Sequence, residues 1–255
     1  METVKIVHQG PLTKISLNRP EVRNAFNDKL VLELSEAFNT LPESTKVVVL
    51  NGEGPVFSAG ADLAWMKASA AYTTEQNQAE ALAMAKMFAH LKECNRVVIG
   101  QVHGAVMGGG IGLVSCCDMV VAGQSTKFAF SEVKLGLVPA VISPFVIAKI
   151  GIPNARRYFL TGEFFNAQQA CDMGLVSKVV EDENIDSAIE HLAKTVAANG
   201  PQALQACKSL LAHIETEQSD ATLEFCATMI ADLRASAEGQ EGLSAFLEKR
   251  KPSWL

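Results

Sequence analysis

The chain lacks a basic excess: 22 Lys and Arg stand against 28 Asp and Glu, a formal charge of −6 over 255 residues. Nucleic-acid binders carry a basic footprint, so this balance argues against them and favours a small-molecule function. An anionic ligand would then have to be met by a few local cations or by backbone amides. Long apolar runs are also missing. No stretch of about 18 residues passes without a charge or a turn signal, so no membrane span is expected. Cys94, Cys116, Cys117, Cys171, Cys207 and Cys226 do not follow zinc-ligand spacing, nor do the five histidines, and no metal site is expected. The opening residues are strand-like, with no cationic segment ahead of an apolar run. The expected setting is therefore a reducing cytoplasm without disulfides. Repeats and low-complexity tracts are absent as well.

What is present is an ordinary globular composition, 48% hydrophobic and 20% charged, in a chain long enough to bury a large core. Residues 4–9 and 12–18 alternate around Gly10-Pro11 and predict a hairpin. Asn27 is placed to cap a helix running to about Asn39, with Leu30, Leu34, Ala37 and Phe38 on one face. Lys46–Leu50, Arg96–Val102 and Met119–Ala122 have the apolar character of buried strands. After about residue 185 the pattern turns helical, in segments 185–198, 202–214, 221–235 and 240–249. These elements predict an α/β core over residues 1–195 and a helical appendage over 196–255.

Three segments carry candidate chemistry. The first is Gly104-Ala-Val-Met-Gly108-Gly109-Gly110-Ile-Gly112, between a strand and a helix. No Gly-Lys-Ser/Thr follows these glycines, and Ser115 breaks the dinucleotide fingerprint, so neither phosphate-loop reading holds. Two uses remain open: a helix N-terminus with free amides suited to an oxyanion, or close helix packing. The second is Phe57-Ser58-Ala59-Gly60-Ala61-Asp62-Leu63, where Asp62 is placed to cap a following helix. The third is Glu132, the sole acidic residue between Met119 and Gly162. Its apolar surroundings favour desolvation and a raised pKa, while pairing with Lys134 or facing solvent are the alternatives. Nucleophilic triads have no support, because Gly-x-Ser-x-Gly is absent. His103 is either a satisfied strand-end histidine or a base beside the glycines. Helices at 63–68 and 75–91 offer Trp65, Met66, Met84, Met87 and Phe88 for an acyl pocket or for core packing.

Taken in order, five stretches resemble the enoyl-CoA hydratase/isomerase (crotonase) superfamily along essentially the whole chain. They are Ile15–Pro20 with Asn24-Ala25, Phe57–Leu63, Val102–Gly110, Ala170–Val176 and Phe246–Pro252. The resemblance implies a crotonase-like ββα spiral core with a C-terminal helical trimerisation region, assembled as a homotrimer or as a hexamer of paired trimers. It implies an acyl-CoA thioester substrate, and no cofactor beyond the coenzyme A that the substrate carries. By position, the family's oxyanion-hole amides fall on Ala61 and Gly109. Ala59, Gly60, Asp62, Leu63 and Gly108 would lie along the substrate. Arg23 and Lys249 are candidates to meet the CoA phosphates, Lys249 from a neighbouring subunit. Of the two family glutamates, one falls on Glu132 and the other on Gly112, so one carboxylate is missing.

The stretch Ser131–Phe145, with Gly112, is similar to bacterial methylglutaconyl-CoA hydratases of leucine breakdown and their isoprenoid-degradation relatives. That similarity implies hydration of a branched 2-enoyl-CoA, with a carboxylate on the substrate taking part of the missing glutamate's role. A double-bond isomerase using Glu132 alone, or a CoA-thioester-binding protein without turnover, are the alternatives.

Overall fold

The computed structural model describes residues 1–69, 71–217 and 219–255. The hairpin forms as expected, with β1 (Val4–Gln9) antiparallel to β2 (Leu12–Leu17). Helix α1 (Asp28–Asn39) begins where Asn27 accepts the Leu30 N–H at 2.9 Å, and it buries Leu30, Val31, Leu34, Ala37 and Phe38. Strand β3 (Val47–Gly52) is buried along its whole length and runs parallel to β2. Next come α2 (Leu63–Ser69) and α3 (Thr74–Lys92), the latter opened by a capping box between Thr73 and Gln76.

Strand β4 (Val97–Val102) leads through β5 (Ala105–Met107) into α4 (Gly109–Cys116). Strands β6 (Met119–Gly123) and β7 (Lys127–Ala129) precede α5 (Ser143–Thr161), which breaks at Gly151. β8 (Phe165–Asn166), α6 (Ala167–Asp172) and β9 (Lys178–Val180) complete the strand-bearing part. The main sheet has the order β1-β2-β3-β4-β6-β9, parallel from β2 onward, and β5-β7-β8 form a second, smaller sheet.

Alternation along the central strands divides their side chains between two cores. Val47, Val49, Val97, Ile99 and Val121 pack on one side against Ile185, Ile189, Ala193 and Val196 of α7 (Ile185–Ala197). Val48, Leu50, Val98 and Val120 belong to the larger core shared with α1, α3, α4 and α5. Burial on both faces explains why these strands are apolar at successive positions rather than at alternate ones. The layer leaves the carboxyl ends of β3 and β4 side by side, and both site loops start there.

The last three helices, α8 (Pro201–Thr216), α9 (Asp220–Ala235) and α10 (Ala237–Leu247), are different. Ala245 is the one buried hydrophobic residue among their described positions, while Leu211, Leu223, Phe246 and Leu247 are exposed. Polar ties hold them to the layer. Lys208 reaches Asp118 Oδ2 at 2.7 Å and the Arg96 carbonyl at 2.9 Å. On either side of these helices, Lys46 donates to the Ala197 carbonyl at the end of α7 and to the Trp254 carbonyl beyond α10, both at 3.0 Å. No described helix is long and apolar enough to cross a membrane.

Candidate active site

Backbone hydrogen bonds stitch the two site loops together. The Ser58 N–H donates to the Ala105 carbonyl at 3.2 Å, and the Met107 N–H returns to the Ser58 carbonyl at 2.9 Å. Buried Ser58 donates its hydroxyl to the Asn24 carbonyl at 2.9 Å and accepts the Gly60 N–H at 3.2 Å. The Ala59 and Asp62 amides are also engaged, on the carbonyls of Arg23 and Phe26 at 2.8 and 2.9 Å. Ala61 lies between these anchored neighbours, and among the described residues its own N–H meets no acceptor. The same holds for Gly109, whose place in the first turn of α4 leaves its amide without an intrahelical partner.

Asp62 fixes the first loop to its surroundings. Its carboxylate accepts the Ala64 N–H at 2.9 Å, capping α2, and pairs with Arg19 at 3.0 Å. Arg19 also donates to the Ala25 carbonyl at 2.5 Å. Partial burial pulls the Asp62 pKa upward, but the Arg19 guanidinium and the helix amides outweigh it and hold the group below its usual value. Asp62 is thus a structural anchor at the cavity as well as the cap read from the sequence.

Glu132 opens a short turn, Glu132–Leu135, after β7. Burial raises its pKa, against a smaller opposing pull from its own backbone amide. Its Oε2 is buried and has no hydrogen-bond partner in the described structure. Pairing with Lys134 does not occur; the Lys134 ammonium lies 5.5 Å from the centre of the Phe164 ring. The carboxyl approaches the second loop at Gly108, whose φ of +45° already favours glycine. A β-carbon there would come within 2.8 Å of Glu132 Oε1.

These groups face one cavity of about 550 Å³. It is lined by Arg23, Ala59, Gly60, Ala61, Asp62, Leu63, Gly108, Gly109 and Glu132, which the sequence singles out at widely separated positions. Lys249 does not line it. Of the acyl-pocket candidates, Met66 and Met84 do. Met87 and Phe88 instead belong to the buried core, and Trp65 packs against that core, so for these three the packing alternative holds. The remaining wall is Leu135 with Leu137–Ile142, together with Ser131, Val22, Ala25 and Phe26. Sequence reading treats Leu135–Ile142 as the surroundings of Glu132 and does not identify it as a cavity wall. Its unbroken apolar character was the available signal. Gly112 is closed off from the cavity, since a β-carbon there would meet Ile142 Cγ2 at 2.4 Å. His103 lies in another cleft, its Nε2 2.9 Å from the Gly54 carbonyl, as a satisfied strand-end histidine.

Two unengaged amides beside a desolvated carboxyl form a site that can hold a developing oxyanion while one acid moves a proton. Comparison with known proteins places the chain in a family. The model of the family described as enoyl-CoA hydratase/isomerase matches residues 8–255, and the chain belongs to this family. The 2,3-dehydroadipyl-CoA hydratase of Escherichia coli is 34% identical over all of this chain and 99% of its own length. The crystal structure of an enoyl-CoA hydratase from Shewanella pealeana is 38% identical, with a TM-score of 0.94 over 99% of this chain and 96% of that one. Pseudomonas aeruginosa AtuE is 32% identical, with a TM-score of 0.96 over 99% of both chains. The crotonase fold is therefore that of this chain, and the protein is an enzyme of the hydro-lyase type.

Proposed function

We propose that the enzyme adds water across the double bond of a branched 2-enoyl-CoA of the 3-methylglutaconyl-CoA type, with Glu132 as its sole acid–base group. The observation that carries this reading is the Glu132 carboxyl itself, half-buried on the cavity wall with an unpartnered Oε2 and lying against the loop that supplies Gly109. The thioester oxygen accepts the Ala61 and Gly109 amides. Ionised Glu132 takes a proton from water as the water oxygen bonds to the β-carbon. The double-bond electrons move onto the thioester oxygen as an enolate, which the two amides stabilise; one such donor is worth about 3–4 kcal/mol. Glu132 then returns its proton to the α-carbon, so one water is added in total. No cofactor is needed beyond the coenzyme A on the substrate.

Apolar side chains around the acyl space support a branched aliphatic substrate. Arg23, exposed at the cavity, is suited to a CoA phosphate, and Lys249 would contribute from a neighbouring subunit in a trimer or a pair of trimers. The exposed apolar residues of α8–α10 support that assembly, with residues 196–255 as its interface region. A relative named for 2,3-dehydroadipyl-CoA, itself an enoyl thioester with a second carboxylate, supports a diacid substrate. The filled space at Gly112 favours one other reading, a double-bond isomerase, because it leaves a single acid at the site.

The test is a panel of thioesters assayed for 3-hydroxyacyl-CoA. Crotonyl-CoA lacks the branch, 3-methylcrotonyl-CoA adds it, and 3-methylglutaconyl-CoA adds a carboxylate to that. The expected order rises along the series, with crotonyl-CoA far slower than the glutaconyl thioester. Equal rates on these two would remove the glutaconyl assignment, and a shifted double bond without hydration would establish the isomerase.

A further inference from the structure

At the start of α4 the surroundings of the glycines change from polar to apolar. Gly108, the N-cap of α4, and Gly112 in its second turn are four residues apart, and the Gly112 N–H donates to the Gly108 carbonyl at 3.2 Å. A β-carbon at Gly108 would meet the Glu132 carboxyl, 2.8 Å from Oε1. At Gly112, about 5–6 Å further along, an added β-carbon would lie 2.4 Å from Ile142 Cγ2 and 2.9 Å from the Phe88 ring. The two neighbours are not equally free to move. Phe88 is fully buried between Phe26 and Phe145, with ring centroids 6.2 and 5.9 Å away. Ile142 stands at the start of α5, 3% exposed, and lines the cavity.

We propose that Ile142, backed by Phe88, is the specificity-determining residue of the acyl pocket. Its Cγ2 methyl occupies the volume that any side chain at position 112 would need. Its cavity surface, on the same cavity as Glu132, gives the branch on the substrate's β-carbon an apolar contact. Gly112 is then a steric requirement of this particular pocket. The acid that is absent at 112 is replaced by an aliphatic contact, which selects a branched acyl group over a straight one. This inference rests on the hydratase reading above for its chemistry, but its steric half is independent of turnover.

Two measurements test it. The first is the ratio of kcat/KM for 3-methylcrotonyl-CoA over crotonyl-CoA in the wild type, Ile142→Val and Ile142→Ala. Losing an aliphatic contact of this size lowers discrimination by about tenfold or more. The ratio is expected to fall by about that factor in Ile142→Ala, with Ile142→Val between the two. A constant ratio with both rates reduced together would overturn the assignment and leave Ile142 a packing residue. The second is thermal melting of Gly112→Glu and of Gly112→Glu/Ile142→Ala. The single variant is expected to melt well below the wild type, with the double variant recovering part of the loss. Wild-type-like melting of Gly112→Glu, or no recovery in the double variant, would overturn the steric claim. A wild type that forms no 3-hydroxyacyl-CoA would refute the hydratase reading instead, while the melting pair still decides the steric one.

Discussion

Loops 57–62 and 107–109 present mainly backbone to the cavity: the Ala61 and Gly109 amides, with Glu132 lying over Gly108. The facing surfaces of residues 135–142, Met66 and Met84 present mainly apolar side chains. The two walls are held differently. Each amide of the first wall owes its direction to hydrogen bonds made by its neighbours and to a glycine at positive φ, so few substitutions leave it intact. The second wall can exchange one aliphatic group for another at modest cost. On the proposed mechanism, a site divided in this way keeps oxyanion binding in the main chain and proton transfer on one carboxyl, and leaves selectivity to the apolar side chains, so that one scaffold can serve different acyl-CoA reactions.

The contrast is tested hardest by Glu132→Gln, which on the proposed mechanism removes the reacting side chain from the backbone wall. General acid–base groups contribute about 10²–10⁴-fold, and the variant is expected to lose turnover within that range while still binding the substrate. Initial rates of hydration check this, and a loss under tenfold would move the proton-transfer role elsewhere. Gly108→Ala comes next. Its methyl would press on Glu132 Oε1 from a φ unsuited to alanine, and displacements of this order cost about 10²-fold in kcat. Arg19→Ala leaves the Asp62 carboxylate of the first loop half-buried without its guanidinium and releases the Ala25 carbonyl beside it. It is expected to lower kcat/KM about tenfold and to lower Tm, with Asp62→Asn milder in both.

The smallest effect concerns pH. Burial raises the Glu132 pKa in the folded protein, so folding favours its protonated form. That contribution is complete below the unfolded carboxyl pKa and is lost as pH rises through the folded value. Glu132→Gln should therefore melt about 1–3 °C above the wild type at neutral pH, and the advantage should shrink as pH falls through that window. Activity moves the opposite way, because the ionised form is the base: kcat/KM for hydration falls as pH drops through the raised pKa. A melting difference that stayed constant from neutral pH down to about pH 4 would sever the burial of Glu132 from its stability cost.

Much of the backbone wall was legible beforehand, because its requirements are written in glycines, small residues and an isolated carboxylate at fixed positions. The strands beneath it were legible too, since burial on both faces makes them apolar without interruption. The small sheet was not. Ala105–Met107, Lys127–Ala129 and Phe165–Asn166 are too short to display a two-residue period. Helix α5 was hidden by Pro144, Gly151 and Pro153, residues that ordinarily end helices. The apolar wall escaped for another reason. Met84 and Met87 sit on the same helix with equal claims to the cavity, and tertiary packing alone sends Met84 to it and Met87 into the core. Likewise Gly112 shows in the sequence as a missing acid, but its filling by Ile142, 30 positions away, does not.

Whether one carboxylate between two amides performs hydration is decided by running the wild-type reaction in deuterated water with 3-methylglutaconyl-CoA and examining the product by NMR. The expected product is a 3-hydroxyacyl-CoA bearing one deuterium at the α-carbon, formed by the wild type and suppressed in Glu132→Gln. A β,γ-unsaturated thioester without a hydroxyl group, or undiminished hydration by Glu132→Gln, would contradict it.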